Sequence, residues 1–502
     1  MTTPLLRIDR ILGDRPFAEV GEPALAVADQ PCGLLAVAGS CEHRVVSPVG
    51  VYGTDDLTCW ALLHSRYPVH TMAFHPGLPL LAVGTGSYDG GYHFQGELLL
   101  LDLETGAADS LLEHWAGREV LDLEWLDEQA LRVLMSPPDD WQDYEAHVSG
   151  HVAVVRRPDW RAVPPGSITA EELAGPRVPA PRPDRREDAR QALSGLSADW
   201  DPRHSVRAVE ELPDGRILAA LDPVVLESWL PSGERQWAVP DEWSGRDLVV
   251  AGDGRSAWAA GPVPWGWDAP AQTVVRLSLT DGAELGRIEP SGPVSLVRCR
   301  DGRPALVPAG GNGGRSRLHV RRGSRAYVRT SGRTEWLATA GLPNPRRNGP
   351  PGEDPHQPSR TAFRRQYRYA FTPGETHFSG PGVELPDGGL VHAGTVYDGR
   401  GLQPGGSFVV RREAVGGAPL WVFRTDREAT ALDADERFAY VGYEDGELVA
   451  LDLRDGTAVR HHLTIGAVTA VPTALTIAGP GRLLVGTGDG RILDCSLAQG
   501  AR

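Results

Sequence analysis

The chain has 502 residues, 41% of them hydrophobic and 23% charged, the balance of an ordinary soluble protein. Its formal charge of −16 argues against wholesale binding to nucleic-acid phosphates, which needs a basic field. All 50 basic side chains are arginine, the mark of codon bias in a very GC-rich genome, and without lysine no Schiff-base, P-loop or lysine-base chemistry is open to it.

The N-terminus, M-T-T-P-L-L-R-I-D-R, lacks the basic start and apolar core of a signal peptide. No apolar run approaches the roughly 18 residues of a membrane span. A cytoplasmic protein is expected. The five cysteines, Cys32, Cys41, Cys59, Cys299 and Cys495, are scattered and form no C-x-x-C. They read as buried free thiols rather than a disulfide framework or zinc site.

Leu5–Ile11 reads as a lone strand. Nine units then follow, starting near Ala24, Val69, Glu119, Val206, Asp247, Val294, Thr376, Glu428 and Val468. Each has short apolar runs joined by tight turns, a pattern recurring about every 40–50 residues. Asp-Gly marks many of the turns, as at Asp445-Gly446 and Asp489-Gly490, because glycine supplies the positive φ that they need. Four-stranded units in series predict an all-β protein, a single closed β-propeller of seven to nine four-stranded blades over residues 1–502. The last unit has three strand-like runs, so Leu5–Ile11 should pair near Ile492–Ser496 and complete it.

Two segments interrupt the pattern. Residues 158–204 form a proline-rich strap whose density of proline opposes helix and sheet. Within it Ala189, Ala192, Leu193 and Leu196 fall at helical spacing, which predicts one short helix docked on the outside of the ring. Residues 342–375 are rich in proline, glycine and arginine and read as partly disordered. They end in a basic and aromatic run with Arg360, Arg364, Arg365 and Arg368, expected to meet an anion or an acidic protein surface.

F-H-P-G-L-P-L-L-A-V-G (Phe74 to Gly84) resembles the inner hairpin of a WD40 repeat. Y-V-G-Y-E-D-G-E-L-V-A-L-D-L-R-D-G (Tyr440 to Gly456) resembles WD40 and quinoprotein-like propeller blades. No unit ends in Trp-Asp, and the usual Gly-His pair is missing. The resemblance implies a propeller and a platform for assembling other proteins.

Loops between second and third strands of successive blades share one face of a propeller. Those at Ser87–Gly96, Ser136–His147, Gly261–Pro270 and Gly394–Gly406 are long and aromatic. Exposed Tyr and Trp offer stiff contact area with a polar handle. The predicted binding face is therefore Tyr88, Asp89, Tyr92, His93, Asp140, Trp141, Tyr144, Trp265, Trp267, Asp268, Tyr397 and Asp398. Its carboxylates call for a protein partner with a basic docking surface. Asp139, Asp140, Asp143, Glu145, His147 and His151 could in principle meet around a metal, but a solvated acidic loop is the plainer reading. Gly310–Arg317 is glycine-rich and basic yet opens no helix, so it is a weak phosphate site. There is no G-x-S-x-G and no H-E-x-x-H. No catalytic residue, metal or cofactor is nominated, and neither nucleic acid nor membrane is an expected partner. The expected function is a non-enzymatic interaction scaffold or sensor. The alternative is a propeller hydrolase or lyase acting on a glycan or peptide at the channel mouth.

Overall fold

A computed structural model describes residues 6–497, apart from 41–46, 114–117, 241–244, 262–271, 291–293, 299–303, 309–318, 323–324, 329–334, 337–375, 388, 399–400, 414–418 and 467. The described chain is all-β, with one α-helix and two 3-10 turns. It contains eight four-stranded antiparallel sheets and one three-stranded sheet, each built from consecutive hairpins as propeller blades are. Their first strands begin at Pro23, Val69, Val120, His204, Asp247, Val294, Thr376, Ala429 and Pro472, and they are numbered here as blades 1 to 9. All nine units lie where the repeat pattern puts them.

Contacts divide the chain into two compact units. One comprises Met1–Asp14 and Arg203–Arg502 and holds blades 4 to 9. The other, Arg15–Pro202, holds blades 1 to 3.

In the larger unit the blades pack in series. Leu218 and Ala220 of blade 4 meet Leu248 and Ala257 of blade 5 in one core. Asp247 Oδ2, on the first strand of blade 5, accepts the Leu296 N–H of blade 6 at 3.2 Å. The hairpin His319–Arg322 and Arg325–Val328 follows the second strand of blade 6 and packs on the first strand of blade 7. Trp421 of blade 7 donates through Nε1 to Leu453 O at the end of the third strand of blade 8. Asp433 Oδ2 of blade 8 accepts the Ile477 N–H of blade 9 at 2.9 Å.

The series then returns on itself. Thr473 and Thr476 of blade 9 donate to Val206 O and Val209 O of blade 4 at 2.7 and 2.6 Å. A shared core of Ala474, Leu484 and Ile492 with Val206, Val209 and Ile217 lies beside these bonds. The same local device serves both junctions of blade 9. A Cβ on Gly442 of blade 8 would lie 2.6 Å from Pro472 of blade 9, and one on Gly486 of blade 9 would lie 2.4 Å from Val206 of blade 4. Only a hydrogen at that place on the second strand lets the next blade approach so closely.

Leu6–Leu12 pairs antiparallel with Ile492–Leu497 and is the fourth strand of blade 9, as the sequence predicts. Leu6 and Leu12 are buried on it. Arg10 donates to Asp494 Oδ2 at 2.9 Å, and Arg482 grips both oxygens of the same carboxylate at 2.7 and 2.9 Å.

In the smaller unit, Val69, Met72, Leu81 and Val83 of blade 2 pack on blade 1. Leu80, Leu98 and Leu100 pack on Leu131 and Val133 of blade 3. Thr71 Oγ1 accepts the Leu123 N–H at 3.2 Å, the counterpart of the aspartate bonds above. The strap departs from expectation in two ways. Arg177–Pro179, inside the proline-rich run, is a strand and completes blade 3. An edge strand of three residues bonds to one neighbour only, so proline at its end costs no ladder bond. The helix α1, Arg186–Leu196, packs against the first strand of blade 1. Only Ala189 and Leu193 of the four predicted apolar positions are buried. Leu193 joins Phe17, Val20, Leu35, Val37 and Tyr52 in a core on the face of blade 1. Among the described cysteines Cys495 is buried, Cys59 half-buried and Cys32 exposed, because Cys32 falls in the turn before the second strand of blade 1.

Removing residues 1–12 takes Leu6 and Leu12 from the core and opens an edge on Ile492–Leu497. The truncated chain should aggregate or melt well below the full chain in a thermal unfolding scan. Leu12→Ala alone should cost about 2–5 kcal/mol. A second expectation concerns acid. Burial pushes the Asp494 carboxyl up, but its bonds to Arg482 and the charge of Arg10 outweigh this and hold it below the ordinary carboxylate range. A depressed carboxyl contributes stability that is present above its unfolded pKa of about 4 and lost as pH falls through the folded value. Denaturation profiles between pH 7 and pH 2 should therefore fall below about pH 4, and the fall should be shallower in Asp494→Asn.

Candidate functional site

Two long loops of the smaller unit join second to third strands, residues 86–97 in blade 2 and 136–148 in blade 3. They are welded by backbone bonds. Ser87–Tyr88 and Phe94–Gln95 form a small hairpin that extends the blade 2 loop. His93 bridges to Asp139, the Asp140 N–H donates to Tyr92 O at 3.0 Å, and the Phe94 N–H donates to Pro138 O at 3.4 Å. The turn at the tip is closed by Asp89, whose Oδ1 accepts the N–H groups of Gly91 and His93 at 2.6 and 3.0 Å. A short aspartate acceptor two residues before the bonded N–H is the usual way to stabilise such a turn.

The side chains form a continuous support that runs from half-exposed His147 and Tyr88 to buried Phe94 and Glu119. Asp140 Oδ2 accepts the Tyr88 hydroxyl at 2.9 Å and meets His147 Nε2 at 3.1 Å. The His147 bond, with the Tyr88 bond behind it, holds the Asp140 carboxyl below its ordinary range against the effect of burial. The same bond pushes the Tyr88 phenol up. His147 meets the rings of Tyr88 and Phe94 edge-on at 4.9 and 5.1 Å. Phe94 is 2% exposed and anchors the hairpin. Arg182 of the strap lies over the Phe94 ring at 5.7 Å, donates to His147 O, and pairs with buried Glu119 at 2.7 Å. His70 faces Glu119 at 3.8 Å, and burial lowers its pKa by more than that charge restores.

Above this support the aromatics stand in solvent. Tyr88 is 37% exposed, Tyr92 52%, Trp141 61% and Tyr144 100%. The structure thus brings together Tyr88, Asp89, Tyr92, His93, Asp140, Trp141 and Tyr144 from the predicted face. Tyr397 and Asp398 are not in a loop. They end the strand Leu390–Asp398, pairing with Leu402 and Gly401, because the hairpin of blade 7 runs on almost to its turn. Trp265, Trp267 and Asp268 lie outside the described residues, as do Arg360, Arg364, Arg365 and Arg368 and the run Gly310–Arg317. Of the residues weighed for a metal, Asp143 pairs with Arg177 at 2.8 Å, His151 Nδ1 contacts Gly175 O at 3.0 Å, and Asp140 and His147 bond each other. Among the described residues no group of three His, Cys, Asp or Glu is placed to hold a metal ion.

Sequence reading did not find Arg182, Glu119 or Phe94. The run P-A-P-R-P (Pro179 to Pro183) held the one available signal, an arginine fixed between prolines, which is a stiff way to present a guanidinium.

No protein-family model matches the chain, and no curated protein matches it. Among solved structures it is similar to the crystal structure of BamB from Moraxella catarrhalis, at 12% identity and a TM-score of 0.26 over 99% of each chain. Values that low carry no argument about function, and the fold stands on the strand pairing described above.

The exposed and buried halves of this site should separate by mutation. Trp141→Ala and Tyr144→Ala should change stability by no more than about 0.5 kcal/mol. Phe94→Ala should cost about 3–5 kcal/mol in a denaturant titration.

Proposed function

We propose that this protein is a non-enzymatic interaction scaffold of the cytoplasm, used in the manner of WD40-like propellers, which docks a protein partner with a basic surface on the loops 86–97 and 136–148. The observation that carries this reading is the set of four exposed aromatics, Tyr88, Tyr92, Trp141 and Tyr144, on loops fixed from below by hydrogen bonds. Rigid aromatics exposed together lose little entropy on binding, and a few such side chains usually dominate an interface. Charge supports the choice of partner: the two loops carry Asp89, Glu97, Asp139, Asp140, Asp143 and Glu145 and no arginine.

The test is co-purification from the native host, then affinity measurement on the purified partner. The Trp141→Ala, Tyr144→Ala double variant should fold normally and bind at least tenfold more weakly. Raised salt should mainly slow association. A partner that binds the double variant as tightly as the parent would place the interface elsewhere.

A further inference from the structure

Resting on that reading, we propose that the corner between Tyr92 and Trp141 is a binding site for one arginine side chain of the partner. The two rings meet edge to face, with centroids 5.0 Å apart and planes at 75°. Each ring is more than half exposed, so two π surfaces bound an open corner. A cation over such a face is attracted by the ring quadrupole, most strongly over tryptophan.

The backbone holds this geometry at a cost. Tyr92 has φ 99° and Gln142 has φ 58°, values that a non-glycine residue adopts only under constraint from its surroundings. Both flank the corner. The constraint is visible in two bonds: Tyr92 O accepts from the Asp140 N–H, and Asp139 Oδ1 accepts the Trp141 N–H at 3.1 Å.

The carboxylates supply the complementary charge. Asp89 and Asp139 each use Oδ1 to close their own turns, and among the described residues no hydrogen bond reaches their Oδ2 atoms. The arginines nearby are committed, Arg177 to Asp143 and Arg182 to Glu119. A planar guanidinium can stack on an indole and still donate in its own plane to a carboxylate, which a lysine ammonium cannot do as well. Composition points the same way. Every basic side chain of this chain is arginine, so a partner encoded under the same codon bias presents arginine as its cation.

The experiment uses the full chain and three synthetic peptides of flexible Gly-Ser sequence, carrying three arginines, three lysines or three glutamines. Binding is read by isothermal titration and by the change in tryptophan emission. The arginine peptide should bind, the lysine peptide at least threefold more weakly, and the glutamine peptide not measurably. Trp141→Ala should weaken arginine-peptide binding at least tenfold, Trp141→Phe less, and Asp89→Asn with Asp139→Asn by an intermediate factor. Equal binding of the arginine and lysine peptides, or unchanged binding by Trp141→Ala, overturns the assignment. If a partner protein binds in a Trp141-dependent way while the arginine peptide neither binds nor competes, the arginine site is wrong and the docking face stands.

Discussion

The structure depends on one recurrent bond, from a polar side chain on the first strand of one blade to the backbone of the first strand of the next. Asp247, Asp433, Thr71, Thr473 and Thr476 all make it. A blade is a sheet with two apolar faces, and apolar burial has no direction of its own. Area alone would let neighbouring sheets slide. A carboxylate or hydroxyl that folding takes from water, fully for Thr71, Asp247 and Asp433 and in part for Thr473 and Thr476, is costly without its partner, so each of these side chains fixes the register of two sheets. Asp433 shows how completely the device is used. Its two oxygens accept from Ile477 in the next blade and from its own neighbour, Ala434.

That bond also explains how much of the fold was legible. Turn chemistry and short apolar runs mark the start of every blade, and the pairing of Leu6–Leu12 with the last blade follows from counting three runs there. The packing of blade 9 on blade 4 leaves no local mark. Thr473 and Val206 are 267 residues apart, and a threonine in a strand looks the same whether it faces a neighbouring blade or water. The strap shows the opposite failure. Its prolines are a strong local signal against sheet, yet Arg177–Pro179 needs only one hydrogen-bonded neighbour and takes the edge of blade 3. Tertiary context overrides composition where the element is short and lies at an edge.

For the surface, residue type was legible and support was not. Tyr88, Tyr92, Trp141 and Tyr144 stood out as aromatics in turn-rich loops, although Phe94 of the same blade 2 loop is buried. What fixes the loops that carry them is the chain Glu119, Arg182, His147, Asp140 and Tyr88, drawn from blade 3, the strap and both loops. No spacing rule links these five positions. The length of blade 7's hairpin was equally hidden, since T-V-Y-D before a glycine suits a strand end and a loop alike.

The strap therefore braces both loops from within its own unit. Its Arg182 lies over Phe94, closes an ion pair with buried Glu119 and holds the carbonyl of His147, so the loop of blade 3 is bonded on both sides. Long loops lose entropy when ordered, about 1–2 kcal/mol per residue of backbone. A loop ordered in advance, by bonds within its own unit, keeps that cost out of the binding step. The positive φ of Tyr92 fits the same division: the strain is set by folding, and the bonds of the two loops hold the exposed ring in place.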